Sequence, residues 1–475
     1  MHHDAGWEDK YTDLFYLSSD DVKPLEEMLH ISEPSQVNEP GEVVAYSNYG
    51  VALAGYIVER VTGQPFYDYV NEHIFTVLDM KDTAIHPSQK DNKDVAEKRE
   101  SIHGYLVNEN GEFSRSKSER IFIGLYPAGS AIGTATDAAK FIMALMPADG
   151  KNSSLFRSNQ TLSEMLTTSD FYDNGLPRNA HGFWEGMYAV DVLEHGGNTD
   201  SFSSNFTFSK EEKLGVIVLT NQIAESGLCY GLPVLVYGEY EAEKGAEILP
   251  DSDKFEGSYM QARQAYVGFT KLMGVLMTGH LKAEDSHTFS MFDMTFKQIA
   301  PNVYQSTNEY NLLLHFTMSA GEVKKVSMMT TDMLPVSANK KLFIMISLLT
   351  AVISVFYFIA SIILMIIGAI RNRKKAVAHT SVKKWNTLLT LSGGAALVNF
   401  VILAFRAYSY GSYASLMIHF WIFYAYILFA GVCVIMIFVQ WKKAAYTRRK
   451  KISYILSCVM ALLLSGLIIG WDLYK

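Results

Sequence analysis

Cysteine is scarce, with three residues in 475. Cys229 stands alone in the front half, and Cys433 and Cys458 fall inside apolar runs. Thiols so placed exclude a disulfide framework and offer no spacing for a zinc site. Neither a metal nor an organic cofactor is implied. The start is equally bare: HHDAGWEDK follows Met1, with no basic n-region and no apolar core, so no signal peptide is present. Acidic residues are nearly missing from the back, where Asp472 is the single one beyond residue 340. Basic residues are short in front: 15 of the 41 lie beyond residue 340, leaving 26 against 48 acids in residues 1–340. The net charge is therefore about −22 in front and +14 behind. Phosphate contact needs Lys and Arg, so this front half excludes nucleic acid as a partner.

What the back half does have is long apolar runs. Four stretches, at about residues 342–370, 385–405, 414–440 and 452–471, are long enough to span a bilayer. None contains Asp or Glu, which argues against an ion-coupled carrier. Aromatic and small residues along them predict helix–helix packing. Arg371, Arg373, Lys374, Lys375, Lys383 and Lys384 follow the first span. Lys442, Lys443, Arg448, Arg449, Lys450 and Lys451 follow the third, whereas the loop after the second holds only Arg406. Both basic loops belong inside, which puts residues 1–340 outside a cell membrane crossed four times. An outside domain needs an export signal, and the simplest reading is that coding sequence ahead of Met1 supplies it.

Residues 251–337 differ in texture. Short β-like runs at 289–292, 296–299, 303–305, 312–318 and 323–329 are separated by turn residues. They predict a small β-rich module, sandwich or barrel, with no chemical constellation and a packing or spacing role. Three regions result: 1–250, 251–337 and 338–475.

Within residues 1–250 the ordered feature is PGEVVAYSNYGVALAGYIVERVTG, residues 40–63. A Pro-Gly turn precedes Tyr46, Ser47 and Asn48. Val51, Leu53, Ala54, Ile57, Val58 and Val61 then recur at helical spacing, and Gly63 sits where a helix stops. Three polar side chains are thus presented at the mouth of a buried helix, although Ser47 or Asn48 could equally serve as its cap. Residues 65–80 read as another helix, 91–100 as a solvated charge run, and Asn108-Glu109-Asn110-Gly111 as a hairpin turn. Pro127-Ala128-Gly129-Ser130 and Gly133 form a Gly-rich turn before a helix capped by Thr134 or Thr136, with Asp137 suiting its dipole. That turn lacks the Lys-Ser/Thr of a phosphate loop. Residues 182–192, 203–208 and 214–219 read as strands, the last two joined by a polar turn at Lys210-Glu211-Glu212-Lys213, with His195-Gly196-Gly197-Asn198 on the entering side. Paired glycines in a strand mean that something approaches the backbone closely.

These motifs resemble the beta-lactamase-related serine hydrolases, the group of class C beta-lactamases and low-molecular-weight penicillin-binding proteins. Tyr46-Ser47-Asn48 is similar to that group's Tyr-x-Asn. Pro127-Ala128-Gly129 with Thr136-Asp137 resembles its turn-helix, and His195-Gly196-Gly197 its third motif. The order agrees, and His3-Asp4-Ala5-Gly6 resembles the upstream His-Thr-Ser-Gly with two changes. The likeness covers about residues 1–222. It implies an α+β, transpeptidase-like domain, an antiparallel sheet with helices, incomplete at its N-terminus, followed by the β module and four membrane helices. One departure matters. The group's nucleophile, a Ser-x-x-Lys, is expected upstream of His3; here that pattern occurs only at Ser114–Lys117, Ser337–Lys340 and Ser381–Lys384, all in the wrong order.

By this resemblance Tyr46 is a phenolic proton relay, its pKa lowered by nearby cations, and Asn48 hydrogen-bonds the lysine and the substrate amide. His195 stands where a cation or donor faces a substrate carboxylate. Ser47 lines the substrate; Gly196 and Gly197 let an acyl group lie along the strand, and the Asn198 N–H is an oxyanion donor. Three readings follow. The chain is a membrane-anchored serine hydrolase acting on envelope peptides, amides or esters, inactive as it stands; or a non-catalytic peptide-binding or sensing protein; or a protein whose spans carry the function. Its partners are a small-molecule or peptide substrate and membrane lipid. Substrate identity and oligomeric state are not written in the sequence.

Overall fold

Ser47 accepts the Gly50 N–H at 3.0 Å through its hydroxyl, and helix α1, Asn48–Thr62, starts there. Gly63 ends it in the left-handed region at φ +76°, a conformation that costs glycine little. The computed structural model describes residues 2–108, 110–116, 120–241, 249–308, 312–371, 381–441 and 447–475. The buried residues of α1 are Ala52 and Gly55, and the expected apolar face is wrong in part, because Ile57 and Val61 are exposed. The reason is distance: a Cβ on Gly55 would lie 2.7 Å from the Pro127 ring, so α1 buries its small residues. Around it Tyr16, Leu25, Met28, Leu29, Leu125 and Tyr126 form one core.

A six-stranded antiparallel meander forms the sheet: β1 Asp170–Phe171, β2 Pro177–Ala180, β3 Phe183–Gly186, β4 Val192–Asn198, β5 Ser203–Ser209 and β6 Leu214–Thr220. Each strand pairs with the next in sequence. Alternation along β4 and β5 sends Leu193 and Phe208 into one core with Ile142 and Leu145 of helix α2, Ala135–Leu145. The opposite face meets helix α3, Gly227–Tyr237, where Val192 packs with Tyr188 and Tyr237. Thr134 caps α2, accepting the Asp137 N–H at 3.3 Å. The expected hairpin exists as Tyr105–Val107 paired with Phe113–Arg115, and Glu109 of its turn lies outside the described residues.

Eight more antiparallel strands close into a barrel: β7 Gly257–Gln261, β8 Gly279–Asp285, β9 Thr288–Met291, β10 Met294–Ala300, β11 Val303–Ser306, β12 Leu313–Ser319, β13 Glu322–Ser327 and β14 Asp332–Pro335. Closure comes from β7 pairing β14, Tyr259 opposite Pro335, which leaves no bare edge. Side chains fill the interior: Phe255, Phe289, Phe296, Tyr304 and Leu314 have no accessible surface. The expected packing or spacing role is incomplete as a description, because residues Val44 to Tyr46 are bound to Thr330 and to Asp332, the first residue of β14. Val44 N–H donates to Asp332 Oδ2 at 3.0 Å, Tyr46 N–H to Thr330 O at 3.0 Å, and Asp332 N–H to Val44 O at 2.8 Å.

The sheet, its helices and the barrel make one compact unit, Met1–Gln264 with Met277–Pro335. The second unit, Ala265–Leu276 with Val336–Lys475, holds four long apolar helices. They are α4 Ala338–Arg371, α5 Ser381–Tyr408, α6 Tyr413–Gln440 and α7 Arg448–Gly470, each long and apolar enough to cross a membrane. Arg373, Lys374, Lys375, Lys442 and Lys443 lie outside the described residues. Small residues let these helices close: a Cβ on Gly393 would sit 2.2 Å from the Phe358 ring, and one on Gly394 2.5 Å from Ile362. Polar pairs fix the contacts further. Tyr357 and Ser457 hydroxyls lie 2.6 Å apart, and His419 Nδ1 is 2.7 Å from Asn399 Oδ1.

Candidate active site

Tyr46 and His195 are 149 residues apart in the chain (195 − 46), yet their ring centroids lie 6.1 Å apart. The strap to the barrel holds the Tyr46 backbone, and β4 carries His195. His3 lies against both rings' surroundings: its centroid is 4.4 Å from Tyr46 and 5.5 Å from Trp184, nearly parallel to the indole at 24°. The Ser47 N–H donates to His3 Nδ1 at 3.1 Å, and Ala45 N–H to His3 O at 2.8 Å. Above Tyr46 sits Arg263, its Cζ 4.9 Å from the ring centroid and its Nε donating to Asp9 Oδ2 at 2.9 Å.

The electrostatics depart from expectation at two residues. Tyr46 does not have a lowered pKa. Burial raises it by more than Arg263 lowers it, and Asp9 adds a smaller push upward. His195 is not a cation near neutral pH, since burial holds it below the ordinary histidine value, with the Gly196 carbonyl opposing. His195 Nδ1 lies 2.9 Å from Gly196 O, a contact that requires the proton on Nδ1. Nε2 is then a lone-pair acceptor. His3 is depressed to about 3, first by burial and then by His195 and Arg263, so it is neutral as well. The charge beside the phenol is the guanidinium.

The hydroxyl of Ser47 is committed to the helix cap, so Ser47 fixes the start of α1 rather than presenting a free hydroxyl. Asn48, the first residue of α1, lines a cavity of about 10 Å³ with Glu8, Asp9, Lys10 and Thr12, room for one water. At β4 the two glycines are explained from within. A Cβ on Gly197 would lie 2.8 Å from Ser204 Oγ, and one on Gly196 3.1 Å from the Tyr230 hydroxyl. The edge beside them is nevertheless open. Thr199 N–H donates to Phe202 O at 2.9 Å, and ladder alternation then turns the N–H groups of Gly196 and Asn198 away from β5. On that side β3 stops pairing at Trp184 opposite Glu194. Asn198 Oδ1 is held by Ser203 Oγ at 3.0 Å.

Reading by sequence missed Arg263, Asp9, Trp184 and Glu194. Glu194 lies on the opposite face of β4 from His195, fully buried, accepting from Tyr188 Oη at 2.9 Å and Asn205 Nδ2 at 3.2 Å. Burial pushes its carboxyl well above the usual range, against both hydrogen bonds. No local pattern marks these residues; Arg263 is 217 positions from Tyr46 (263 − 46) and reaches it only through the barrel.

A family model described as Beta-lactamase matches residues 1–227. These residues form a beta-lactamase-family domain. Its fold is beta-lactamase/transpeptidase-like. Protein flp of Staphylococcus aureus strain MW2 is 26% identical over 192 residues, 40% of this chain and 35% of that protein. The chain thus matches about a third of the length of these curated relatives. Among solved structures, the octameric penicillin-binding protein homologue from Pyrococcus abyssi is 17% identical, covering 70% of this chain and 76% of its own, with a TM-score of 0.40. The D-amino acid amidase from Ochrobactrum anthropi is 26% identical, covering 46% and 62%, with a TM-score of 0.38. Within the beta-lactamase-family domain, the Tyr46 ring lies 6.1 Å from His195 and 6.4 Å from Trp184, where the pairing of β3 with β4 ends.

Proposed function

We propose that the beta-lactamase-family domain binds small amides or peptides outside a cell membrane and directs acyl transfer on them. The approach of Tyr46 to His195 at 6.1 Å carries this reading. Acyl transfer needs a proton shuttle and donors for the developing oxyanion. Tyr46 supplies a phenolic hydroxyl, and His195 Nε2 an acceptor that takes and returns a proton. The N–H groups of Asn198 and Gly196 point to the free edge of β4 and supply donors for the oxyanion. Gly196 and Gly197 leave that edge without side chains, so an acyl group can lie along it. Asn48 orients the amide, and Ser47 holds the segment in register.

The nucleophile divides this reading from a second one, a cleft that binds without reacting. Ser114 is on an exposed strand, Lys117 lies outside the described residues, and Ser337 and Ser381 belong to the helical unit. Among the described residues, no Ser-x-x-Lys pair joins Tyr46 and His195, and this observation motivates the second reading. Treating the full chain in detergent micelles with a fluorophosphonate probe and a fluorescent penicillin tests both. Covalent labelling of a serine, slowed about 100-fold or more by Tyr46→Phe or His195→Ala, supports acyl transfer. Saturable binding of acetyl-dialanine without labelling supports the binding-only cleft. Neither labelling nor binding rejects both.

A further inference from the structure

Arg263 belongs to the segment that leads out of the first barrel strand, yet its guanidinium lies against the phenol ring of the cleft. Its backbone is fixed on three sides. Ala262 N–H donates to Asp332 O at 2.7 Å, Arg263 N–H to Thr331 Oγ1 at 3.2 Å, and Asp9 N–H to Gln264 O at 3.0 Å. Its side chain is fixed by the Nε–Asp9 Oδ2 contact of 2.9 Å and by the ring beneath. Among the described residues, the groups that face Tyr46 are His3, His195, Trp184, Arg263 and, beyond the guanidinium, Asp9. Both imidazoles are neutral, so they place no charge on the phenol. Burial alone makes the phenolate costly, and a proton relay that cannot ionise is of little use. The cation over the face of the ring offsets part of that cost.

We propose that Arg263, oriented by Asp9, is a positioning residue for Tyr46: the barrel segment delivers a cation that stabilises the phenolate and holds the ring in place. The significance of this role rests on the proton-relay reading given above; the geometry does not. The Tyr46 ionisation itself is the readout, and it needs no substrate. Replacing Tyr46 with 3-fluorotyrosine in the full chain lets its ionisation be followed by fluorine NMR. Arg263→Gln is expected to move the midpoint up by about one pH unit or more, the scale of losing an opposite charge at this range. Arg263→Lys should keep part of the effect. Asp9→Asn is expected to move the midpoint down, because it removes an anion and leaves the cation.

The opposite signs separate field from packing. Loosening the contact would move both variants the same way, and that result, or an unmoved midpoint in Arg263→Gln, overturns the proposal. A moved midpoint in a chain that binds no amide would instead leave Arg263 in its role and remove the acyl-transfer reading.

Discussion

Glu194 and His195 are neighbours whose side chains leave β4 on opposite faces, and burial disfavours the charged form of each, with opposite signs. Burial raises the Glu194 carboxyl and lowers the His195 imidazole. The sign of the Glu194 contribution follows from proton linkage. An acid whose folded value exceeds its unfolded value binds more protons when folded. The stability it contributes is therefore full below the ordinary glutamate range and is lost as pH rises toward the raised folded value. Glu194→Gln should remove that slope and leave the protein more stable at pH 7 than the parent. Asn205 Oδ1, buried without a partner among the described residues, would gain a donor within the same pocket. Thermal unfolding of parent and variant in detergent between pH 4 and 8 checks this; equal slopes would reject it. His195 acts with the other sign, since a base depressed in the fold loses stability as pH falls through its ordinary unfolded range.

Elements that depend on near neighbours were legible in the sequence. Gly63 and Ser47 bound α1 because caps act within three or four residues, and the four spans follow from length and apolarity. The module was legible as a sandwich or a barrel but not as which of the two, because closure depends on β7 meeting β14 across the whole module. The strap on Tyr46 was not legible at all, since Val44 and Asp332 are 288 positions apart. Its anchor is a buried ion pair. Arg178 Nη2 of β2 donates to Asp332 Oδ1 at 2.9 Å and to Met328 O at 2.6 Å, with both side chains at most 2% exposed. Tyr172 lies under the guanidinium and stacks on His315 at 3.8 Å. Breaking such a pair leaves an unpaired buried charge, which costs about 3–5 kcal/mol. Asp332→Asn should destabilise the first unit by about that amount in denaturant unfolding, and Arg178→Met with Asp332→Leu by less than the sum of the singles. Additive losses would mean that the pair is not the anchor.

At the scale of the molecule, charge and apolarity divide the chain as they divide the structure. The acidic unit carries sheet, barrel and cleft, and the helical unit carries the four apolar helices. The positive-inside rule carries the proposal that the acidic part of the chain lies outside, and labelling tests it. In a chain cleared of Cys229, Cys433 and Cys458, a reporter at Lys151→Cys should react with an impermeant maleimide on intact cells. A reporter at Arg449→Cys should react only after permeabilisation. The reverse pattern would invert the topology and place the cleft in the cytoplasm.

The tie of Val44–Tyr46 to Thr330 and Asp332 bears on how the gene is cut. A fragment ended at residue 227, where the family match stops, would keep the sheet but release the phenol from its moorings and discard the guanidinium above it. Anyone trimming this protein for a soluble preparation should end it after Pro335, treating the small barrel as half of the workplace rather than as its porch.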